Sequence, residues 1–505
     1  MAKVPGSGGA GRAQSLRRAG RNEEAVTAYR RYLKVTPDDA DAWRGLALSY
    51  IPLQRLEDAA YCFWQALKYR PASLRLMMQL GDILVQTGDM ERAATVFEHM
   101  IKEHPRDARG FLSLSAVQRE LGKVDTAGVT LRSGVAKSPI TVLSSLRAPE
   151  ARILRLRGVQ NAYYSVATEA SHWLRLRGGN FSSSALWDQD RFTTINFLIA
   201  DENILKFAPM PSHQIVVNSI ADADLEGRSL RAAATYLASD PAIPVINDPV
   251  QVLNSTRDNN YQRLKDTPGV RFPKTLRLNW QPETPFDAGE ILHREGMALP
   301  IILRRTGTHT AVSTIKADTI SEVEKYFAAA SAGQYYAIEY VLHPFRSDYF
   351  RKMRVFFIDG QIYPVVHHVD TVWNVHGFNR TTVMAATPWM QELEQAYLDD
   401  PAAFVGADAY AALKSLHSIA KLDFFGVDFN VLNDGRILIF EMNPAMRHSF
   451  EHAQNFPYLM PHAQRITDAF QAMVTSRALP MKAEKPKTAS SGDDSIRISI
   501  KRAAR

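Results

Sequence analysis

The 505-residue chain has a single cysteine, Cys62. One thiol cannot close an internal disulfide or build a thiolate zinc site. The sequence therefore points to a reducing compartment and reads as cytoplasmic. Cys62 falls in a helical pattern beside Phe63 and reads as packing. No apolar run approaches the ~20 residues that span a bilayer, and the opening Met-Ala-Lys-Val-Pro-Gly-Ser-Gly-Gly has no apolar stretch of signal-peptide type. No membrane partner is expected. An excess of one charge is also missing: 60 Lys and Arg stand against 53 Asp and Glu, leaving +7. That balance favours anionic ligands but does not mark a nucleic-acid binder. No Ser–His–Asp or Cys–His signature is present, so no side-chain nucleophile is expected. The remainder is an ordinary globular mixture, 46% hydrophobic and 22% charged, over a length that suits several domains.

The first part of the chain repeats itself. Pro37, Pro71, Pro105 and Pro139 recur every 34 residues, as do Ala25, Ala59, Ala93 and Ala127. A bulky residue follows each alanine by four: Tyr29, Phe63, Phe97 and Leu131. Gly20, Gly88 and Gly122 share one phase, with Gln54 at the remaining position. The pattern describes a helix, a turn and a second helix. The alanine lets the two helices approach, the bulky residue shares its face, and the proline ends the second helix. Trp43, Leu46 and Tyr50 fill the first helix of the second repeat. This resembles the tetratricopeptide repeat, over about four repeats within residues 1–140, the first reading as a cap. The resemblance implies an all-α solenoid that binds a peptide or protein partner; a purely architectural array is the alternative.

Residues 141–190 read as a connecting segment, marked by Ser144, Ser145 and Pro149. Within it Arg152 to Arg157 alternates charge with Ile153, Leu154 and Leu156, which suggests a solvated helix face or an edge strand. From there the texture becomes α/β. Strands are expected at Asn196–Ala200, His213–Asn218 and Pro244–Pro249, and helices at Leu230–Leu237 and Val252–Tyr261. The last 29 residues, 477–505, carry Lys482, Lys485, Lys487, Lys501, Arg502 and Arg505 with few large apolar residues, and read as a disordered basic tail.

The segment Asp423–Pro444 carries the chemistry. Gly426–Val431 alternates as a strand, Asn433-Asp-Gly435 makes a hairpin turn, and Ile437–Phe440 returns. Asp428, Glu441 and Asn443 converge at its open side. Two carboxylates and an amide suit magnesium, which takes hard oxygen ligands and keeps others for phosphate and water. With these residues the chain resembles ATP-grasp ligases, closest to the RimK-like carboxylate–amine branch. The resemblance implies a pre-ATP-grasp α/β domain at 191–270 and an ATP-grasp α+β domain at 271–476, with ATP and Mg²⁺ as cofactors. It also implies Asp428, Glu441 and Asn443 as the metal ligands.

Further residues carry over from that resemblance. Arg304 and Arg305, in Ile301–Arg305, stand where the family presents a lysine to the phosphates. Gly307 and His309 lie in the phosphate-loop position Thr306–Thr310. Glu339, Tyr340 and Val341 match the adenine-binding hinge, and Arg354 the catalytic cation that holds the transferring group. Arg257 and Asp258 match an Arg-Asp-Lys element, but Asn259 replaces the lysine and removes one usual phosphate contact. At most one of His367 and His368 faces the site, because neighbours on a strand point to opposite faces. Asn379 and Arg380 read as substrate or phosphate contacts in a loop over the site. The implied function is ATP-dependent ligation of a small-molecule or peptide carboxylate to an amine through an acyl phosphate. The alternatives are a non-catalytic, nucleotide-sensing scaffold and a phosphotransferase.

Overall fold

The computed structural model describes residues 7–145, 147–167, 173–182, 185–188, 190–200, 210–283, 286–308, 314–346, 348–375, 377 and 380–480, and counts of elements are of these residues. His309, Asn379 and most of the expected tail lie outside them. The described chain falls into two units. The first is 7–139 together with Tyr163–Arg177; the second is Ile140–Ala162 with 178–480.

The first unit is a run of helices: α1 (Ser7–Arg18), α2 (Asn22–Leu33), α3 (Ala40–Tyr50), α4 (Leu56–Tyr69), α5 (Leu74–Gln86), α6 (Met90–Glu103), α7 (Ala108–Glu120) and α8 (Val124–Lys137). The shared turn position has one backbone conformation throughout: Gly20, Gly88 and Gly122 have φ of 76, 80 and 76°, and Gln54 adopts 58°. A left-handed turn explains glycine at three of the four positions. Ala25, Ala59 and Ala93 are wholly buried. The aromatic of a second helix reaches a glycine on a neighbouring first helix: a Cβ on Gly45 of α3 would lie 2.4 Å from the Tyr29 ring of α2, and one on Gly81 of α5 2.4 Å from Phe97 of α6.

Strands β3 (Tyr163–Val166) and β4 (Leu174–Arg177) form an antiparallel pair in this same unit. Trp173 stacks on Phe97 with centroids 6.0 Å apart, and its Nε1 donates to Asp82 Oδ1 at 2.9 Å. Arg119 lies 3.6 Å over the Tyr163 ring. Part of the expected connector is therefore an aromatic hairpin seated on α5, α6 and α7.

The rest of that connector is also ordered structure. In the second unit, β1 (Ile140–Leu143), β2 (Ala151–Gly158), β5 (Phe192–Ile199), β6 (Ile215–Asn218) and β7 (Val245–Ile246) form one sheet in the order β1-β5-β2-β6-β7. β2 is its central strand, parallel to both β5 and β6. This corrects the reading of Arg152–Arg157 as an edge or solvated face. Arg155 is buried because its guanidinium donates to Ser219 Oγ at 2.6 Å and to the Phe181 carbonyl at 2.9 Å. Helix α9 (Ala223–Leu237) packs on this sheet. The helix expected at 252–261 is two, α10 (Pro249–Leu253) and α11 (Arg257–Leu264).

Two further sheets build the remainder. One is antiparallel, β11 (Ile315–Ala317), β10 (Ile301–Arg305), β12 (Gly333–Glu339) and β9 (Thr275–Trp280), backed by α12 (Ala288–Arg294) and α13 (Ile320–Ala328). The other runs β13 (Pro344–Phe345), β14 (Tyr349–Ile358), β16 (Phe424–Val431), β17 (Ile437–Asn443) and β8 (Val270–Arg271), with β15 (Gln361–Asp370) also on β14. Helices α14 (Pro388–Asp399), α15 (Pro401–Val405), α16 (Ala407–Ala420) and α17 (Met460–Arg477) complete the unit. Asp359 and Gly360 turn the β14–β15 hairpin with φ of 51 and 78°. Arg477, expected in the tail, instead ends α17 and pairs with Asp423 at 2.6 Å and with Asp359. No described helix is long and apolar enough to cross a membrane.

Gly81→Ala should destabilise the first unit by about 1–3 kcal/mol, because the methyl group meets Phe97. Gly11→Ala, whose Cβ would meet nothing within 4 Å, should be neutral or stabilising by up to ~1 kcal/mol. Denaturant midpoints of the two variants check this.

Candidate functional site

Strand register assembles the site. Arg354 of β14 pairs with Asp428 of β16, and Asp428 pairs with Glu441 of β17. Residues directly opposite across neighbouring strands share a face, so the three side chains form a row across the sheet. Asp428 is 2% exposed. Arg354 grips it bidentately, Nε to Oδ1 at 2.6 Å and Nη2 to Oδ2 at 2.9 Å, and Lys352 Nζ lies 3.2 Å from Oδ2. Burial alone would raise the carboxyl's pKa; the two cations outweigh it and hold the group well below the carboxylate range. Asn443, two residues beyond Glu441, donates from Nδ2 to Glu441 Oε1 at 3.0 Å. Arg257 of α11 reaches Glu441 at 3.0 Å and donates to the Phe440 carbonyl at 2.7 Å.

A cavity of about 140 Å³ opens beside this row. Its lining includes the charged Arg257, Arg304, Lys352, Asp428 and Glu441 and the apolar Ile302, Ile338, Leu438 and Phe440. Ile302 and Arg304 are two apart on β10, which puts both on the cavity face. Glu339, Tyr340 and Val341 form one edge. Glu339 pairs with Arg271 and accepts from the Lys274 N–H at 3.0 Å. The Val341 carbonyl is tied to His343 Nδ1 at 2.8 Å, while its N–H makes no hydrogen bond among the described residues. Trp373 meets Tyr340 edge-on at 5.6 Å.

Arg304 donates to the Thr308 carbonyl and lies 3.3 Å from Thr308 Oγ1, and has no carboxylate partner among the described residues. Burial, with the Arg257 charge nearby, lowers its pKa to about 10. It is a cation short of an anion. Arg305 stands exposed at the strand end and, with Gly307, lines an adjoining cavity that shares Arg257, Arg304 and Glu441. Gly307 is required there twice over: φ is +68°, and a Cβ would lie 2.5 Å from Leu225.

The residues fit a magnesium ion that keeps ligands outside the protein. Among the described residues no three His, Cys, Asp or Glu gather as a ready-made cation site. The donor set is two carboxylates and an amide oxygen, all hard. The row differs from the sequence expectation in one respect: its carboxylates are already balanced by Arg354, Lys352 and Arg257.

Other expectations are corrected. Arg380 is not a substrate contact. It is 0% exposed and paired with the equally buried Glu394 at 2.6 Å, where Tyr458 Oη and the His367 N–H also donate. Asn259 is exposed, and Asp258 instead holds Arg277 bidentately at 2.7 and 2.8 Å. His367 faces Phe345, Tyr397 and Phe404 in the core, whereas His368 shares the site face opposite Lys352. Sequence reasoning passed over Lys352 and left Arg257 as a motif match. Lys352 was findable, since it stands two residues before Arg354 on one strand.

Residues 11–63 and 53–108 match the tetratricopeptide repeat family. The helices within residues 11–108 are tetratricopeptide repeats. A solved structure of MamA residues 41 to the end from Desulfovibrio magneticus RS-1 is similar to 25% of this chain and 72% of its own, at 20% identity and a TM-score of 0.23. A crystal structure of D-alanine–D-alanine ligase from Bacillus anthracis is similar over 65% of this chain and 98% of its own, at 11% identity and a TM-score of 0.40. The curated phycoerythrobilin:ferredoxin oxidoreductase of Prochlorococcus marinus is 29% identical over 152 residues, 29% of this chain. The chain spans 57% of the length of that relative.

Neither ring nitrogen of His367 has a hydrogen-bond partner among the described residues, and burial lowers its pKa to about 3. His448 is lowered to about 4 for the same reason. Both must stay neutral in the folded state. Their contribution to stability is present above the unfolded value of about 6.5 and is lost as pH falls towards 4. His367→Phe should raise stability at pH 7 by about 1–2 kcal/mol and flatten the acid limb, as read from denaturation midpoints between pH 7 and pH 4.5.

Proposed function

We propose that the second unit is an ATP-grasp carboxylate–amine ligase: Mg-ATP activates a carboxylate as an acyl phosphate, which an amine then attacks. The single observation that carries this reading is the charge arrangement around the cavity. Three cations, Arg257, Arg304 and Lys352, line it with two carboxylates, Asp428 and Glu441, and with the apolar Ile302, Ile338, Leu438 and Phe440, while a fourth cation, Arg354, grips Asp428. That excess of positive charge is unsuited to a bare metal ion and suited to a polyphosphate that brings one.

The roles follow from position. The slot between Ile302, Ile338 and Phe440 takes a flat apolar ring, and the Val341 N–H, without a hydrogen bond among the described residues, offers a donor to it. Arg304 and Lys352 attract the phosphates. Asp428, Glu441 and the Asn443 oxygen would hold magnesium, which would supply positive charge to offset that of the phosphates. Arg354, fixed by Asp428, presents its remaining donors where the transferring group and the carboxylate meet. The fixed cations stabilise developing charge without reorganising. The tetratricopeptide array would recruit the peptide or protein that carries one substrate. Asp82, Arg119 and Phe97 are already covered by the β3–β4 hairpin, so such a partner would use other positions on the array.

The test is ADP release by the purified protein against pools of amino acids, peptides and simple carboxylic acids. Wild type should release ADP only when a carboxylate and an amine are both present. Asp428→Asn, which loosens both Arg354 and the cation, should lower the rate at least about 100-fold. Equal turnover by the two proteins would remove Asp428 from the mechanism.

A further inference from the structure

The face of the repeat array that carries the β3–β4 hairpin continues beyond it. The hairpin meets Asp82 of α5 and Arg119 of α7, each on the first helix of its repeat. Arg75 and Gln79 precede Asp82 on α5 by seven and three residues, so they share its side of the helix. Arg44 of α3 joins them: its Nε donates to Gln79 Oε1 at 2.9 Å, from one repeat to the next. Arg75 and Arg17 of α1 both stand near enough to act on the Arg44 charge.

Donors gather here without acceptors. Arg44 can only donate, so Gln79 turns its oxygen to it and its amide nitrogen away. Gln79 is 5% exposed, and that Nε2 has no hydrogen-bond partner among the described residues. Arg17 hydrogen-bonds to the Tyr29 hydroxyl, yet its Nε is a second buried donor without a partner. Asp41, the carboxylate that acts on Arg44, is held bidentately by Arg70 at 2.7 and 2.9 Å. Asp82 is taken by Trp173. Burial lowers the Arg44 pKa, and the charges of Arg75 and Arg17 add to the effect.

A surface of this kind suits an anion that the array does not supply. The three guanidiniums come from three helices, and packed helices stand about 8–10 Å apart. A run of acidic side chains spans such a set, where a single carboxylate meets only part of it. This chain's own end is unsuited, since residues 481–505 carry seven Lys and Arg against three acids. Single-stranded nucleic acid uses aromatic platforms beside the cations. The rings next to Asp82 and Arg119, those of Trp173 and Tyr163, are already engaged with Phe97 and Arg119.

Resting on the reading that the array recruits a partner, we propose that Arg17, Arg44, Arg75 and Gln79 form a docking site for an acidic segment of a protein, a run of Asp and Glu side chains laid beside the β3–β4 hairpin. Gln79 and the half-buried Arg44 form its floor, and the exposed Arg75 its edge.

The experiment uses the full chain and fluorescence anisotropy. The probe is an amidated oligoglutamate peptide, and its control is the amidated oligoglutamine peptide of equal length. Wild type should bind oligoglutamate at least about tenfold tighter than oligoglutamine. Arg75→Glu and Arg44→Gln should each weaken the acidic peptide by about tenfold or more, as loss of charge-assisted hydrogen bonds requires. Lys102→Glu makes the same charge change as Arg75→Glu at an exposed position on the second helix α6, and should stay within about twofold of wild type. An unchanged Arg75→Glu, or equal losses in Arg75→Glu and Lys102→Glu, would overturn the proposal. So would oligouridylate binding more tightly than oligoglutamate. If Arg44→Gln does not fold, Arg75→Glu and Lys102→Glu decide, since neither side chain has a partner to lose among the described residues. Oligoglutamine bound as tightly as oligoglutamate would keep the array as a peptide binder and overturn this site; no peptide bound would sink both. Binding is read without ATP, so a protein that released no ADP would leave this site standing.

Discussion

The second unit is organised around one carboxylate that is almost completely removed from water. Asp428 stays ionised only because Arg354 and Lys352 touch it, and both reach it from the neighbouring strand. A buried charge without such partners costs several kcal/mol. The alignment of β14 with β16 is thereby tied to the site: a one-residue slip would turn Arg354 to the other face and strand the carboxylate. The β-bulges beside Arg354 and Asp428 show where the sheet bends to hold this arrangement.

Around that centre the polar groups form layers. Glu441 is steadied by Arg257 and Asn443; Arg380 and Glu394 form a second, fully buried pair that fixes His368. Arg277 bridges Asp224 at 2.8 Å and Asp258 at 2.7 Å, and Tyr336 Oη donates to Asp224 at 2.7 Å. These contacts connect β9, β12, α9 and α11. Against this background of satisfied charges, Arg304 stands out as a cation without a carboxylate among the described residues. A site built with such an imbalance is complementary to an anion that the protein does not itself supply.

Much of this was legible in the sequence, for identifiable reasons. The 34-residue period survived because each repeat places glycine or a tolerant residue at a left-handed turn and an alanine four residues before a bulky side chain. The alternation of Gly426–Val431 and the Asn433–Gly435 turn marked the hairpin, but an unshifted register would set Asp428 opposite Phe440; the register shift beside Asp428 brings Glu441 opposite it. Three other things were hidden. Arg152, Arg155 and Arg157 made a central strand look solvated, because the Ser219 and Phe181 partners of Arg155 lie 64 and 26 residues away in the chain. The β3–β4 hairpin carries no periodicity, and its place is set by Trp173 and Tyr163 meeting distant helices. Arg380 looked like a ligand contact because its partner, Glu394, lies on a separate helix, and no local pattern joins the two.

The central claim is that the cavity beside Asp428 takes a magnesium-bound nucleoside triphosphate with its base in the apolar slot. A crystal structure of the full chain with Mg²⁺ and a non-hydrolysable ATP analogue tests it directly. The account predicts the base between Ile302 and Phe440 with a ring nitrogen on the Val341 N–H. The phosphates should contact Arg304 and Lys352, and a metal should sit between them and Asp428, Glu441 and Asn443. A nucleotide bound elsewhere, or one in the slot whose phosphates point away from Arg304 with no metal at the carboxylates, would contradict it.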